Sequence, residues 1–82
     1  MQIRVTQEDI DKGKRNSLRR CPVALALKRA CGRIVEVGST MVYSRNEDRA
    51  WLISLPEKAE DFVKLFDIGE PVEPFTFDLP LE

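Results

Sequence analysis

The segment Cys21-Pro22-Val23-Ala24-Leu25-Ala26-Leu27-Lys28-Arg29-Ala30-Cys31-Gly32 leaves this chain little choice of local conformation. Pro22 has a fixed φ and no amide hydrogen, which suits the first position of a helix, and Gly32 suits the left-handed position just past the end of one. Between them Val23, Ala26, Leu27 and Ala30 recur at i, i+3, i+4 and i+7, the spacing of a single buried helical stripe. Lys28 and Arg29 fall in the last turn, where positive charge complements the helix dipole. The small alanine side chains predict a helix lying close against a sheet.

The rest of the chain is read around that helix. Gln2-Ile3-Arg4-Val5 alternates polar and apolar residues as a half-buried strand does. Thr6-Gln7-Glu8-Asp9 is a capping box that opens a short helix ending near Lys12, with Gly13 as its stop. Lys14 to Arg20 is polar and basic and reads as a loop. Arg33 to Val37, Thr40 to Ser44 and Arg49 to Leu55 are three β-rich runs separated by Gly38-Ser39 and by the turn-like Arg45-Asn46-Glu47-Asp48. A second amphipathic helix begins at Ser54-Leu55-Pro56-Glu57, buries Ala59, Phe62, Val63 and Phe66, and stops at Gly69. In the proline-rich tail, Phe75, Phe77 and Leu79 share one face of a final strand that the prolines confine to a sheet edge.

The expected fold class is α+β: a mainly antiparallel sheet of four to five strands with two or three helices on one face. With 82 residues the chain can sustain one core only, so a single domain spanning 1–82 is expected. No apolar run approaches the length of a membrane span, and the start Met1-Gln2-Ile3-Arg4 lacks a secretion signal, so a cytoplasmic protein with no membrane partner is expected. Cys21 and Cys31 sit ten residues apart on one helix, about 15 Å, too far to bridge. Both are expected to be reduced thiols.

Little in the sequence carries catalytic chemistry. There is no histidine, which removes the commonest general base and the commonest zinc ligand, and two cysteines are too few for a structural zinc site. Cys21 is the one candidate nucleophile: a helix N-terminus and the neighbouring Arg19 and Arg20 would both lower its pKa. No base is at hand to complete a Cys-His pair, and a small buried cap explains the residue more simply. The four glycines are scattered at element boundaries, so no phosphate-cradling loop exists. The reading is a non-enzymatic protein with no metal, no cofactor and no small-molecule substrate.

Charge is where the sequence is informative. Residues 1–50 carry eleven Lys and Arg against six Asp and Glu, whereas residues 51–82 carry two against eight. Two surfaces follow. One is acidic, with Glu57, Glu60, Asp61 and Asp67 on the second amphipathic helix and Glu70, Glu73 and Asp78 after it, able to present negative charge to a basic partner. The other is basic: Lys14, Arg15, Arg19 and Arg20, next to Lys12, run into the N-terminus of the Pro22 helix and offer an alternative nucleic-acid-binding loop. No aromatic residue interleaves with that cluster, and the sequence pI is about 5.5.

Thr6-x-x-x-Ile10-x-x-Gly13, then Asn16-Ser17, Cys21-Pro22-Val23-Ala24-Leu25-Ala26 and the late Phe66-Asp67-x-Gly69-Glu70-Pro71-Val72-Glu73-Pro74-Phe75 form a pattern across most of the chain. It resembles a group of small phage and prophage proteins, among which short, acidic anti-CRISPR inhibitors occur. The matching positions are caps, stops and core residues. The resemblance implies a phage-derived inhibitor whose partner is a host protein, a DNA-binding subunit of a CRISPR effector, and whose acidic surface blocks DNA recognition.

Overall fold

The computed structural model describes residues 1–45 and 49–80; of the Arg45-to-Asp48 turn, residues 46–48 lie outside the described residues. The order of elements is β1 (Gln2–Val5), α1 (Gln7–Lys12), α2 (Pro22–Cys31), β2 (Val35–Val37), β3 (Met41–Arg45), β4 (Ala50–Ser54), α3 (Glu57–Asp67) and β5 (Phe75–Asp78). The class is α+β with every strand pair antiparallel. The ladders are two: β1 pairs β5, and β2-β3-β4 form a three-stranded sheet. The five strands match the expected number, and their hydrogen bonds divide them between two sheets.

The starts of α1 and α2 and the stop of α2 follow the signals in their sequences. The Thr6 hydroxyl accepts the Asp9 amide and the Asp9 carboxylate accepts the Thr6 amide, at 3.2 and 2.9 Å. Pro22 opens α2, the Ala24 amide donates to Cys21 Sγ at 3.4 Å, and Gly32 closes the helix at φ 67°. At Gly13 a glycine is needed for a different reason. Its φ is an ordinary −68°, but a Cβ there would lie 2.6 Å from Pro22 Cγ and 2.8 Å from the Asp9 carbonyl oxygen. The end of α1 is therefore pressed against the start of α2.

The core gathers Ile3 and Val5 of β1, Val23, Ala24, Ala26 and Leu27 of α2, and Val35, Val37 and Val42 of the larger sheet. Ala59, Phe62 and Val63 of α3, with Phe77 and Leu79, complete it. The Phe62 ring lies tilted against Phe75 at 4.7 Å between centroids, and Phe75 stacks near Phe77 at 5.5 Å, so α3 is held on the face of β5. One expected core position is corrected: Ala30 is exposed and Ala24 takes its place. Ala30 lies in the exposed last turn with Lys28 and Arg29, where Cys31 stays half-buried against the core.

Asp9 and Arg29 lock these layers. The Arg29 guanidinium makes two parallel bonds to the nearly buried Asp9 carboxylate, at 2.7 and 2.9 Å, and donates to the Arg4 carbonyl oxygen at 3.0 Å. Burial alone would raise the Asp9 pKa, but the hydrogen bonds from Arg29, the Thr6 amide and the Thr6 hydroxyl, with the Arg29 charge, outweigh it and hold the carboxyl below its ordinary value. Because the folded-state pKa is the lower one, the ionised carboxylate stabilises the fold above about pH 4. That stabilisation is lost as the pH falls through the carboxylate range and beyond. Removing the cation with Arg29→Met should cost about 1–3 kcal/mol, less than for a fully buried pair because Arg29 is half exposed. Thermal melts from neutral to acidic pH test the linkage: Asp9→Asn should be less stable than wild type at neutral pH and lose less on acidification, and equal acid slopes for the two would contradict it.

Candidate functional site

The residues expected to bind a partner lie largely on α3 and the segment after it. With Ala59, Phe62 and Val63 turned inward, the spacing leaves Glu57, Asp61, Lys64 and Ile68 on the opposite side of the helix. Glu60 and Asp67 share one flank and are half-buried, while Lys58 and Leu65 share the other. Pro56 gives the helix no side-chain cap, and the carboxylates of Glu57 and Glu60 in the first turn answer its dipole instead. Glu70 and Glu73 are exposed on the connection to β5. Among the described residues, no Lys or Arg lies within ion-pairing distance of Glu57, Glu60, Asp61, Glu70 or Glu73.

Two of the seven acidic positions stand apart. Asp67 accepts the Asn16 amide at 3.0 Å and so holds the basic loop against the end of α3. Asp78 alternates with Phe77 and points to the face of β5 away from the Phe75 and Phe77 row. The charge split along the sequence is also not preserved in space. β1, from the basic half, pairs with β5 from the acidic half, and the Arg15 guanidinium lies where a Cβ on Gly69 would be 3.2 Å from it. Gly69 takes φ 87°, and the amides of Ile68, Gly69 and Glu70 reach back to the carbonyl oxygens of Lys64, Phe66 and Leu65, which closes the end of α3.

Sequence reasoning passed over an apolar component. Leu65 and Ile68 are 42% and 72% exposed. Leu65, Phe62, Pro71, Val72 and Phe75 line a groove of about 480 Å³ between α3 and the connection to β5, with Asp61 and Glu73 on its walls and the Lys58 ammonium 5.9 Å from the Phe75 ring centre. The signal was in the spacing: Leu65 and Ile68 fall outside the Ala59, Phe62, Val63, Phe66 stripe. A groove with an apolar floor and charged walls has the composition of a docking surface rather than of a catalytic pocket.

The basic loop is more committed to the fold than its composition suggests. Arg19 lies 3.5 Å from Glu36, Arg15 covers Gly69, and the Lys14 amide donates to the Arg20 carbonyl oxygen. Asn16 takes the left-handed φ of 55° that lets its amide reach Asp67. Lys14 and Arg20 are exposed.

Cys21 does not have the lowered pKa that its neighbours in sequence suggest. The thiol is 3% exposed, and burial pushes its pKa up, with the Asp67 charge adding to the rise against the lowering effect of the helix amides. Arg19 and Arg20 are exposed while Cys21 is buried, and the Asp67 charge is the one that bears on the thiol. Cys31 is half-buried and donates to the Leu27 carbonyl oxygen at 3.0 Å; both cysteines are free. Among the described residues no group of three or more Cys, Asp or Glu side chains is placed to hold a metal ion, and no helix is long and apolar enough to cross a membrane. No family model, curated protein or solved structure matches the chain. An aromatic disulfide reagent should modify Cys31 before Cys21 in the native protein, followed by mass spectrometry; first modification at Cys21 would contradict the burial described.

Proposed function

We propose that this chain is a non-enzymatic binding protein, a phage-derived inhibitor of the anti-CRISPR type, that lays α3 and the 70–75 connection onto the basic DNA-recognising surface of a host effector complex. One observation carries the reading: Glu57, Glu60, Asp61, Glu70 and Glu73 have no internal cation among the described residues, and two of the five, Asp61 and Glu73, form walls of an apolar groove. Unpaired carboxylates take no ion-pairing energy from the fold, so a partner's Lys and Arg can pair with them without first breaking an internal bond. The groove supplies the apolar contact that charge alone does not. Asp67 serves as a positioning residue in this scheme, holding the 14–20 loop at the C-terminal end of α3.

Direct nucleic-acid binding through Lys14, Arg15, Arg19 and Arg20 is less well supported, because Arg19 already faces Glu36 and Arg15 already covers the end of α3. The choice is tested in cells carrying CRISPR immunity, by counting phage plaques with the chain expressed. Reversing Glu57, Glu60 and Asp61 to Lys should abolish protection of the phage and weaken effector binding at least about tenfold, more at low salt than at high. The fold should survive, since Glu57 and Asp61 are exposed opposite the Phe62 and Val63 face and Glu60 lies on the half-buried flank of α3, outside that face. Reversing Lys14 and Arg20 should leave inhibition in place; the opposite pattern overturns the proposal.

A further inference from the structure

Each of the two sheets has two edges, and three of the four are blocked. The outward Arg4 carbonyl of β1 is taken by Arg29 at 3.0 Å. The outward Val37 amide of β2 donates to the Leu18 carbonyl oxygen at 2.7 Å, with Arg19 beside Glu36 on the same edge. β5 is four residues long, carries Asp78, and is flanked by Pro74 and Pro80. Short length, charge and proline are the devices by which edges are kept from pairing with another chain.

β4, one residue longer, holds no charge and no proline within Ala50-Trp51-Leu52-Ile53-Ser54. The Leu55 amide donates to the Thr40 carbonyl oxygen, so Ile53 and Trp51, by alternation, also bond toward β3, and the N–H and C=O groups of Ala50, Leu52 and Ser54 point outward. Among the described residues no backbone group accepts from or donates to them on that side. The side chains agree: Leu52 is 62% exposed beside its partner Tyr43, and Trp51 and Ile53 are only half-buried on the inner face.

We propose that β4 is a self-pairing edge, joining a second copy of this chain antiparallel about a twofold axis at Leu52. In that register Leu52 meets its own copy and Ala50 meets Ser54, which satisfies all the outward groups, and Trp51 faces Ile53 of the copy as an aromatic and β-branched cross-strand pair. The antiparallel sense, with the twofold axis perpendicular to the sheet, keeps Trp51 and Ile53 of both copies on one face, whereas a parallel twofold pair would turn the copy's inner face outward. The result is a six-stranded sheet with a continuous Tyr43 and Leu52 strip on its outer face. This inference is independent of the acidic-face reading, since it needs no partner other than the chain itself.

A five-residue edge is a small interface, so the expected dissociation constant is micromolar or weaker. Light scattering from about 1 μM to about 1 mM should show the mass rising from 9.4 kDa toward twice that value. Leu52→Lys should stay monomeric over that range with its Trp51 near-ultraviolet signal intact. Amide exchange on the wild type gives a second readout: the Ala50, Leu52 and Ser54 amides should be open in dilute protein and protected at least about tenfold in concentrated protein. A wild type that remains at 9.4 kDa throughout, a Leu52→Lys variant that still doubles its mass, or a dimer in which those three amides stay open overturns the proposal.

Discussion

One buried carboxylate ties together three elements that meet at the edge of the core. α1 has six residues, too few to be stable as an isolated helix, and it leans on Asp9 twice: as the second half of its own capping box and as the anchor for Arg29 of α2. Arg29 in turn bonds the Arg4 carbonyl, so β1, α1 and α2 meet at one ion pair. Behind it Gly13 lets the α1 terminus touch Pro22, and from that contact α2 runs across Ile3, Val5, Val35 and Val37. A depressed carboxyl pKa at such a junction makes the charged form part of the fold.

The proposed contact surface is separated from this junction. α3 is held by Phe62, Val63 and the aromatic row of β5, and its far end is tied to the basic loop through Asp67 and Arg15. Both ties use groups whose charges a simple count assigns to rival surfaces. Once they are withdrawn, what remains free on α3 and the following segment is a set of carboxylates around an apolar groove, and what remains free of the loop is little more than Lys14 and Arg20. The geometry thus favours one surface over the other, although their compositions looked comparable.

The helices and strands were legible in the sequence because each is bounded by residues with a local physical meaning: Thr6 and Asp9, Pro22 and Gly32, Gly69, and the alternation through Phe75, Phe77 and Leu79. What could not be read were the relations between elements distant in sequence. Asp9 and Arg29 are twenty residues apart, Asn16 and Asp67 fifty-one, and no periodicity links them. The burial of Ala24 in place of Ala30 depends on how far along α2 its neighbours cover it, and the raised pKa of Cys21 depends on burial and Asp67, where its neighbours in sequence are arginines. The division into two sheets is of the same kind. The candidate site was half legible: the acidic positions could be named, but the exposed Leu65 and Ile68 and the groove beside them needed the helix to be seated on β5.

The claim that α3 and the 70–75 connection form the contact surface is tested most directly by carboxylate footprinting. The chain, free and in complex with the effector proposed as its partner, is treated with a water-soluble carbodiimide and an amine, and modification is read residue by residue by mass spectrometry. The account predicts that Glu57, Glu60, Asp61, Glu70 and Glu73 lose reactivity in the complex while Glu8 and Asp11 on α1 keep theirs. Unchanged labelling of those five residues in an inhibited complex would contradict it.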